Sequence, residues 1–354
     1  MRFSFSDDQT EYAAFLADLL GTVAGPGYLR AAWSAGHAYE STLWPKLAES
    51  GLFGVCVPEE EGGAGGTLVD LALCLEACGY HGVPEPVVET AVLAPHVIGE
   101  FGSEAERKKW LRAIAEGEAV ASASFDPSGI TPDGTRADVV VVKSGEELHL
   151  VTPDRASWQP LDGVDLSRRL ARGTFAAGEA TLLTADPAAA ARASGLGAAA
   201  TACVLVGVAQ RLADMTREYV IERRQFGRAL GTFQILKHRL ANVAIQTEAA
   251  RSLAWYACYA VAHRAADAPL AAARAKAAAN RASELAGSAA LQLHGGIGFT
   301  WEHDLHLWLQ RGKALEGAFG STLEHRTAVG GMVIEQLASP GAPVHGIEHA
   351  GTTR

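Results

Sequence analysis

The spacing of apolar residues divides the chain into three patterned stretches. From Asp7 to about Gly117, positions such as Leu47, Leu52 and Val55, then Leu68, Leu71 and Leu75, recur at helical or near-helical intervals, which predicts a run of helices broken by loops. The clearest break is Pro58 to Gly66, a loop on glycine and proline content. From about Ala119 to Thr184 the pattern changes to short β-rich runs, Val139–Val142, Leu148–Val151 and Thr181–Leu183, separated by turn residues such as Pro132-Asp133-Gly134 and Ser144-Gly145-Glu146. After Pro187, long amphipathic segments return at about 188–223, 233–263, 269–294 and 304–318, and short links between them predict an antiparallel bundle. The expectation is a mainly α protein with a small β domain: a helical domain over 1–118, a shortened β domain over 119–186, a helical bundle over 187–336 and a mobile tail over 337–354.

Composition narrows the picture. With 354 residues, 48% of them apolar and 20% charged, the chain has the balance of a globular protein of two or three packed units. Alanine is dense from Ala188 to Ala290 and, as the strongest helix former, supports a helical second half. A net charge of -10 argues against nucleic acid as a partner, because that affinity rests on clustered cations neutralising phosphates. No apolar stretch of bilayer length stands out, and Met1 to Asp8 lacks a signal peptide's apolar core, so a cytoplasmic protein without membrane insertion is expected. Cys56, Cys74, Cys78, Cys203 and Cys258 show no metal or redox spacing and read as reduced core residues.

Three glycine-punctuated segments are candidates for chemistry. The Pro58–Gly66 loop has glycines that could cradle phosphate, but no strand leads into it, no Lys-Ser/Thr follows, and three glutamates adjoin it. The second is Glu222 to Gln234, which offers guanidinium groups at Arg223, Arg224 and Arg228, the amides of Gln225 and Gln234, and the face of Phe226 beside a helix start. Its alternatives are an anion site and a solvated basic helix end. The third is Gln292 to Asp304, where Gly295, Gly296 and Gly298 permit close backbone approach to a ligand or simply form a C-cap turn. His294, Glu302, His303 and Asp304 lack the helical repeat of a metal site, and no metal is expected.

Arg-Arg-Gln-Phe-Gly with a following Phe-Gln, then Gln-Leu-His-Gly-Gly-Ile-Gly-Phe-Thr-Trp-Glu-His, resembles the paired signature of the acyl-CoA dehydrogenase family. The run Leu47 to Val55 followed by Val57-Pro58-Glu59-Glu60 and Gly62-Gly63 is similar to that family's opening domain. The resemblance covers about residues 5–335. It implies a helical N-terminal domain, a β middle domain and a four-helix C-terminal bundle, assembled as dimers or dimers of dimers with FAD between subunits. It further implies that Arg223, Gln225, Phe226, Gln234, Gln292, Gly295 and Gly296 reach the adenosine and diphosphate half of an FAD held mainly by the neighbouring subunit.

The sequence departs from the family where the reaction needs most. Oxidising an acyl thioester at its α and β carbons requires a carboxylate to take the α-proton while the flavin takes the β-hydride. The resemblance puts Phe319 in the usual glutamate slot and Gly197 in the slot used by other relatives, and no Asp or Glu lies between Asp186 and Asp214. Glu316, one helical turn before Phe319, is the nearby substitute; its alternative is a solvated carboxylate paired with Lys313. Glu248 reads as a solvated helix residue. The family's glycine-rich flavin loop corresponds here to Ala123–Gly129, with most of its glycines gone.

These features point to the base-lacking subunit of a heteromeric α2β2 enzyme, resembling the actinobacterial acyl-CoA dehydrogenases of sterol side-chain degradation. A homologous partner would supply the glutamate and most of the FAD site, and the substrate would be an acyl-CoA. The alternatives are a homomeric dehydrogenase using Glu316 and a flavin-free scaffold.

Overall fold

The structure is a computed structural model that describes residues 4–38, 40–176 and 178–338. Six α-helices open the chain: α1 (Asp7–Val23), α2 (Pro26–Ala35), α3 (Trp44–Glu49), α4 (Leu68–Tyr80), α5 (Ala94–Phe101) and α6 (Glu104–Ala115), with a π-helical segment, Val88–Leu93, leading into α5. Local chemistry fixes several starts. Ser6, Thr67 and Ser103 each cap the helix that follows, and Gln9, Asp70 and Glu106 reach back to the capping residue's own amide. The Pro58–Gly66 loop contains a single helical turn, Glu59–Glu61, and closes on itself. The amides of Gly62, Gly63, Gly65 and Gly66 donate to the carbonyls of Glu59, Pro58, Val57 and Val55, in the loop and the turn just before it, so they are spent and form no phosphate cradle.

Seven strands follow: β1 (Ala121–Ser124), β2 (Ile130–Pro132), β3 (Val139–Ser144), β4 (Glu147–Val151), β5 (Ser157–Leu161), β6 (Leu170–Thr174) and β7 (Thr181–Thr184). They form two sheets where one small sheet was expected, in the orders β1-β3-β4-β7 and β2-β6-β5. Only the β1–β3 pair is parallel. β3, the valine run, is buried along Val139–Val142: Val139 and Val141 join the main core, while Val140 and Val142 meet Val151 and Trp158 in a small second core.

The second half is dominated by α7 (Pro187–Glu222), α8 (Gln234–Ala262) and α9 (Ala268–His294), followed by α10 (Leu305–Leu315) and α11 (Thr322–Ala338). Here alanine does more than favour helix. Ala199, Ala200, Ala202 and Ala209 on α7 and Ala275, Ala279, Ala282 and Ala286 on α9 are buried, and small side chains let the axes approach closely. The closest approach joins α4 to α7: a Cβ at Gly79 would run into the Val204 carbonyl, and one at Gly207 into the Glu76 carbonyl. α7 is the one helix among the described residues long and apolar enough to cross a membrane, yet 83% of its most apolar window is buried inside the protein. All five cysteines are free and buried, with the Cys203 and Cys258 sulfurs 3.5 Å apart.

The fourth bundle helix stops earlier than its sequence pattern suggests, at Leu315. Helix α11 begins at a capping signature, Ser321-x-x-Glu324: the Glu324 amide donates to Ser321 Oγ, and Glu324 Oε2 accepts from the Ser321 amide and hydroxyl. The mobile-tail expectation from residue 339 onward lies outside the described residues.

Candidate functional site

The segment after α7 folds as a tight hairpin, β8 (Arg224–Gln225) paired with β9 (Arg228–Ala229), with Phe226 and Gly227 at its tip. Both tip residues have positive φ, +54° and +78°, as a two-residue turn matched to strand twist requires. Glycine adopts that geometry freely; Phe226 does so under strain, and its ring is 89% exposed. Arg223, Gln225 and Gln234 are exposed beside it, with Gln234 opening α8, and the Arg228 guanidinium lies 3.9 Å from the centre of the Phe233 ring.

The second connection leaves α9 at the same end of the bundle. The buried His294 ring stacks on Tyr219 in the last turn of α7, centroids 4.4 Å apart, and so ties the two segments together. Gly295, at φ +64°, donates its amide to the Leu291 carbonyl, so the C-cap reading holds for it. Gly296 differs. Its φ is ordinary and a Cβ there would meet open space, so nothing within this chain calls for glycine. Gln292, Gly295 and Phe299 line a groove of ≈ 560 Å³ between α9 and α10, with Lys313 and Glu316 on its opposite wall. Among the described residues no three His, Cys, Asp or Glu side chains gather as a metal-ligand set.

Phe319 and Gly197, 122 residues apart in sequence, are in contact. A Cβ at Gly197 would collide with the Phe319 ring, and Phe125, from the segment matched to the flavin loop, covers that ring at a centroid distance of 5.4 Å. Glu316 does not share this inward face. The helix ends before it, so the one-turn spacing to Phe319 does not carry through. Its carboxylate instead accepts a 2.7 Å hydrogen bond from Lys313 in the outer groove. Glu248 is exposed and pairs with Arg251.

Lys276, 0% exposed on α9, sets the end of α10 and is a residue that sequence reading missed. Its ammonium donates to Asn280 Oδ1 (2.8 Å) and to the carbonyls of Leu315 (3.2 Å), Glu316 (3.0 Å) and Gly320 (3.3 Å). Burial pulls its pKa down to about 7, against the opposing charges of Glu316 and Glu324.

A second unforeseen cluster joins the helical layer to both sheets. Glu85 Oε1 accepts from Tyr28 (2.7 Å) and Ser41 (2.7 Å), and Oε2 from Arg136 and Arg169 (3.0 Å each). Asp133 Oδ1 accepts from Arg169 Nε at 2.5 Å. Burial alone would raise the Glu85 pKa, but Arg169 and Arg136, with the Ser41 and Tyr28 hydrogen bonds, outweigh it and hold the group below its ordinary value.

The geometry separates two surfaces by what they suit. The Ala123–Gly129 segment does not fit a flavin ring: Asp126 is taken up by Ser128, the Gly129 amide donates to Asp126, the Gly129 carbonyl accepts from Gly173, and Phe125 packs inward. The bundle end does fit the nucleotide half of such a cofactor. It presents exposed guanidinium groups, amide side chains, an exposed aromatic face and an unencumbered glycine. A helical layer, twin sheets and a helical bundle with these two connections are the parts that the resemblance to acyl-CoA dehydrogenases implies.

Comparison with known proteins agrees. Residues 6–118 match the acyl-CoA dehydrogenase N-terminal domain and residues 188–332 the acyl-CoA dehydrogenase C-terminal domain. The chain is 37% identical over 302 residues to acyl-CoA dehydrogenase IpdE2 of Mycobacterium tuberculosis, spanning 84% of this chain and 88% of that protein. It is 36% identical over 304 residues to IpdE2 of Mycolicibacterium smegmatis, spanning 84% and 89%. Among solved structures, a Tcur3481-Tcur3483 steroid ACAD superposes with a TM-score of 0.86 at 30% identity, covering 94% of this chain and 99% of that one. The ChsE4-ChsE5 complex from Mycobacterium tuberculosis gives 0.86 at 22% identity, covering 95% and 99%, a likeness of fold. The chain belongs to the acyl-CoA dehydrogenase family. It is an oxidoreductase chain whose cofactor is FAD.

Proposed function

We propose that this chain is the base-lacking subunit of a heteromeric acyl-CoA dehydrogenase, and that it completes an FAD site held chiefly by a homologous partner. The observation that supports this reading most is the convergence of the hairpin and the Gly295–Gly296 connection at one exposed bundle end, with a glycine that the chain's own packing does not need. FAD, when bound, accepts the hydride leaving the β-carbon of the thioester. This chain's residues bind and orient. Arg223 offers charge to the diphosphate, Gln225, Gln234 and Gln292 offer amide hydrogen bonds, Phe226 offers a flat face, and Gly295 and Gly296 allow backbone approach. The α-proton is removed by a carboxylate of the partner, since Phe319 and Gly197 carry none and Glu316 is engaged by Lys313.

The substrate is an acyl-CoA, and the steroid ACAD named among the neighbours supports a thioester of a sterol-derived side chain. Co-expression tests the assignment. The chain alone is expected to purify colourless, and the mixed α2β2 complex yellow, bleached by its acyl-CoA. Stoichiometric flavin in the isolated chain, bleached by an acyl-CoA, would establish a homomeric enzyme instead. In the complex, Arg223→Ala is expected to weaken FAD retention on dilution.

A further inference from the structure

His294 closes α9 and leads into the connection that carries Gly295 and Gly296, and it is only 3% exposed. Its Nδ1 lies 2.8 Å from the Ala290 carbonyl oxygen, which can only accept, so the ring proton sits on Nδ1 and Nε2 is a bare acceptor. That Nε2 is buried with no hydrogen-bond partner among the described residues. The ring stacks on Tyr219 of α7 at an interplanar angle of 22°, and His303, from the far end of the same connection, meets it at a centroid distance of 4.7 Å and an angle of 70°. His303 is held in the opposite tautomer. The Leu305 amide, in the first turn of α10, donates to its Nδ1 at 3.1 Å, so that nitrogen carries no proton. The connection is thus folded back on itself, its two ends joined through two neutral imidazoles.

A proton added to either ring works against this arrangement. On His294 it would go to Nε2, creating a buried cation whose new N–H finds no acceptor. On His303 it would go to Nδ1, setting N–H against the Leu305 N–H and placing a cation at the N-terminal end of a helix, where the dipole disfavours it. The charged and titratable groups around the pair are Tyr219 on α7, Arg30 on α2, Asp304 and His306 at the start of α10, and the exposed Glu302. Of these, Asp304 is the carboxylate that favours a charged His303, and Arg30 engages it at 2.7 Å while also holding the Trp301 carbonyl at 2.8 Å. Burial is the main cause that holds both imidazoles below the ordinary histidine range. His303 adds to it at His294, against the Ala290 carbonyl; His306 and Arg30 add to it at His303, against Asp304.

We infer that His294 and His303 are positioning residues: the pair holds the Gly295–Gly296 connection against the end of α7 only while both rings are uncharged, so mild acid releases it. This is a property of the chain's own connection and does not rest on a partner holding FAD, so either reading can fail alone.

A released connection exposes ordinary imidazoles, which gain protons below about pH 6.5, whereas the stacked rings resist protonation. The closed form is therefore at full strength above that pH and loses up to about tenfold in population per pH unit for each ring below it. Hydrogen–deuterium exchange of the full chain reads this in the Gly295, Thr300 and Leu305 amides, which donate to the Leu291 and Ile297 carbonyls and to His303 Nδ1. After correction for the intrinsic pH dependence of exchange, their protection should fall about tenfold or more between about pH 7 and about pH 5, relative to the buried stretch of α9 around Ala279 and Ala282. An unchanged ratio between the two segments overturns the inference. The double variant His294→Phe/His303→Asn keeps a face for Tyr219 and an acceptor for the Leu305 amide, and neither new side chain takes a proton. It should hold the ratio flat over the same range; a fall equal to that of wild type overturns the inference. Wild type also decides by itself, whatever the variant's folding. Its His294 and His303 ring resonances in NMR should titrate below about pH 6.5, together with the loss of protection, and titration at the ordinary histidine value overturns the inference.

Discussion

Replacing Glu85 by glutamine probes the buried cluster that binds the helical layer to the sheets. The carboxylate accepts four hydrogen bonds, two of them from guanidinium groups, and its side chain is fully buried. With Asp133, Arg136 and Arg169 it forms a set of two negative and two positive charges, so the cluster is neutral. Glutamine can keep the bonds from Tyr28 and Ser41 but turns an NH2 donor toward two donors, leaving one positive charge uncompensated. Charge-assisted hydrogen bonds contribute about 1.5–3 kcal/mol each. Breaking a buried pair by removing one partner costs about 3–5 kcal/mol, so the expected loss for Glu85→Gln is about 3–5 kcal/mol. Against a total stability of about 5–15 kcal/mol, that is about a fifth or more of what holds a domain together. Equilibrium urea unfolding should show a lower midpoint at unchanged slope. Adding Arg136→Met restores neutrality and should recover part of the loss. Because the Glu85 pKa is held below its unfolded value, its contribution is present above about pH 4.3 and is lost as the pH falls through the folded value. Wild type should therefore lose more stability than Glu85→Gln between about pH 5 and pH 3. A loss below about 1 kcal/mol at neutral pH, with no difference in acid slope, would refute the reasoning.

Other outcomes follow from the same structure. Lys276 has a depressed folded pKa, so the unfolded chain binds more protons between about pH 7 and pH 10, and wild-type stability should climb with pH across that window; Lys276→Met should flatten the climb in Tm measured at pH 7 and 9.5. Glu316→Gln should leave turnover of the mixed complex within about twofold of wild type, because the residue is tied to Lys313 in the outer groove; a hundredfold drop in kcat would make it the base. Gly207→Ala should destabilise by more than the ~1 kcal/mol that a helical glycine-to-alanine change normally gains, as read by urea midpoint, because the new methyl meets the Glu76 carbonyl.

The long helices were legible because an amphipathic stripe repeats over many turns, and the two glycine connections because their residue types are unusual at a helix end. Strands such as Ala121–Ser124 and Ser157–Leu161 were not, since the first is a four-residue Ala/Ser run of weak β preference, the second contains Pro160, and both depend on partners outside their own stretch. The family resemblance marked Phe319 and Gly197 separately. Their packing against each other is a long-range fact that no local pattern encodes. Likewise Lys276 reads in sequence as one more polar residue of an alanine-rich helix, and only the turn at 316–320 gives it a task.

The crossing of α4 and α7 at Gly79 and Gly207 sets main chain against main chain, with no side chain between them to trim or enlarge. Shape changes that tune this subunit to a mate are therefore steered away from that seam and toward α8, whose outward Ile235, Ile245 and Leu253 can vary without disturbing it. The opening layer and the bundle are thereby held along this seam at a separation that only glycine at both positions permits.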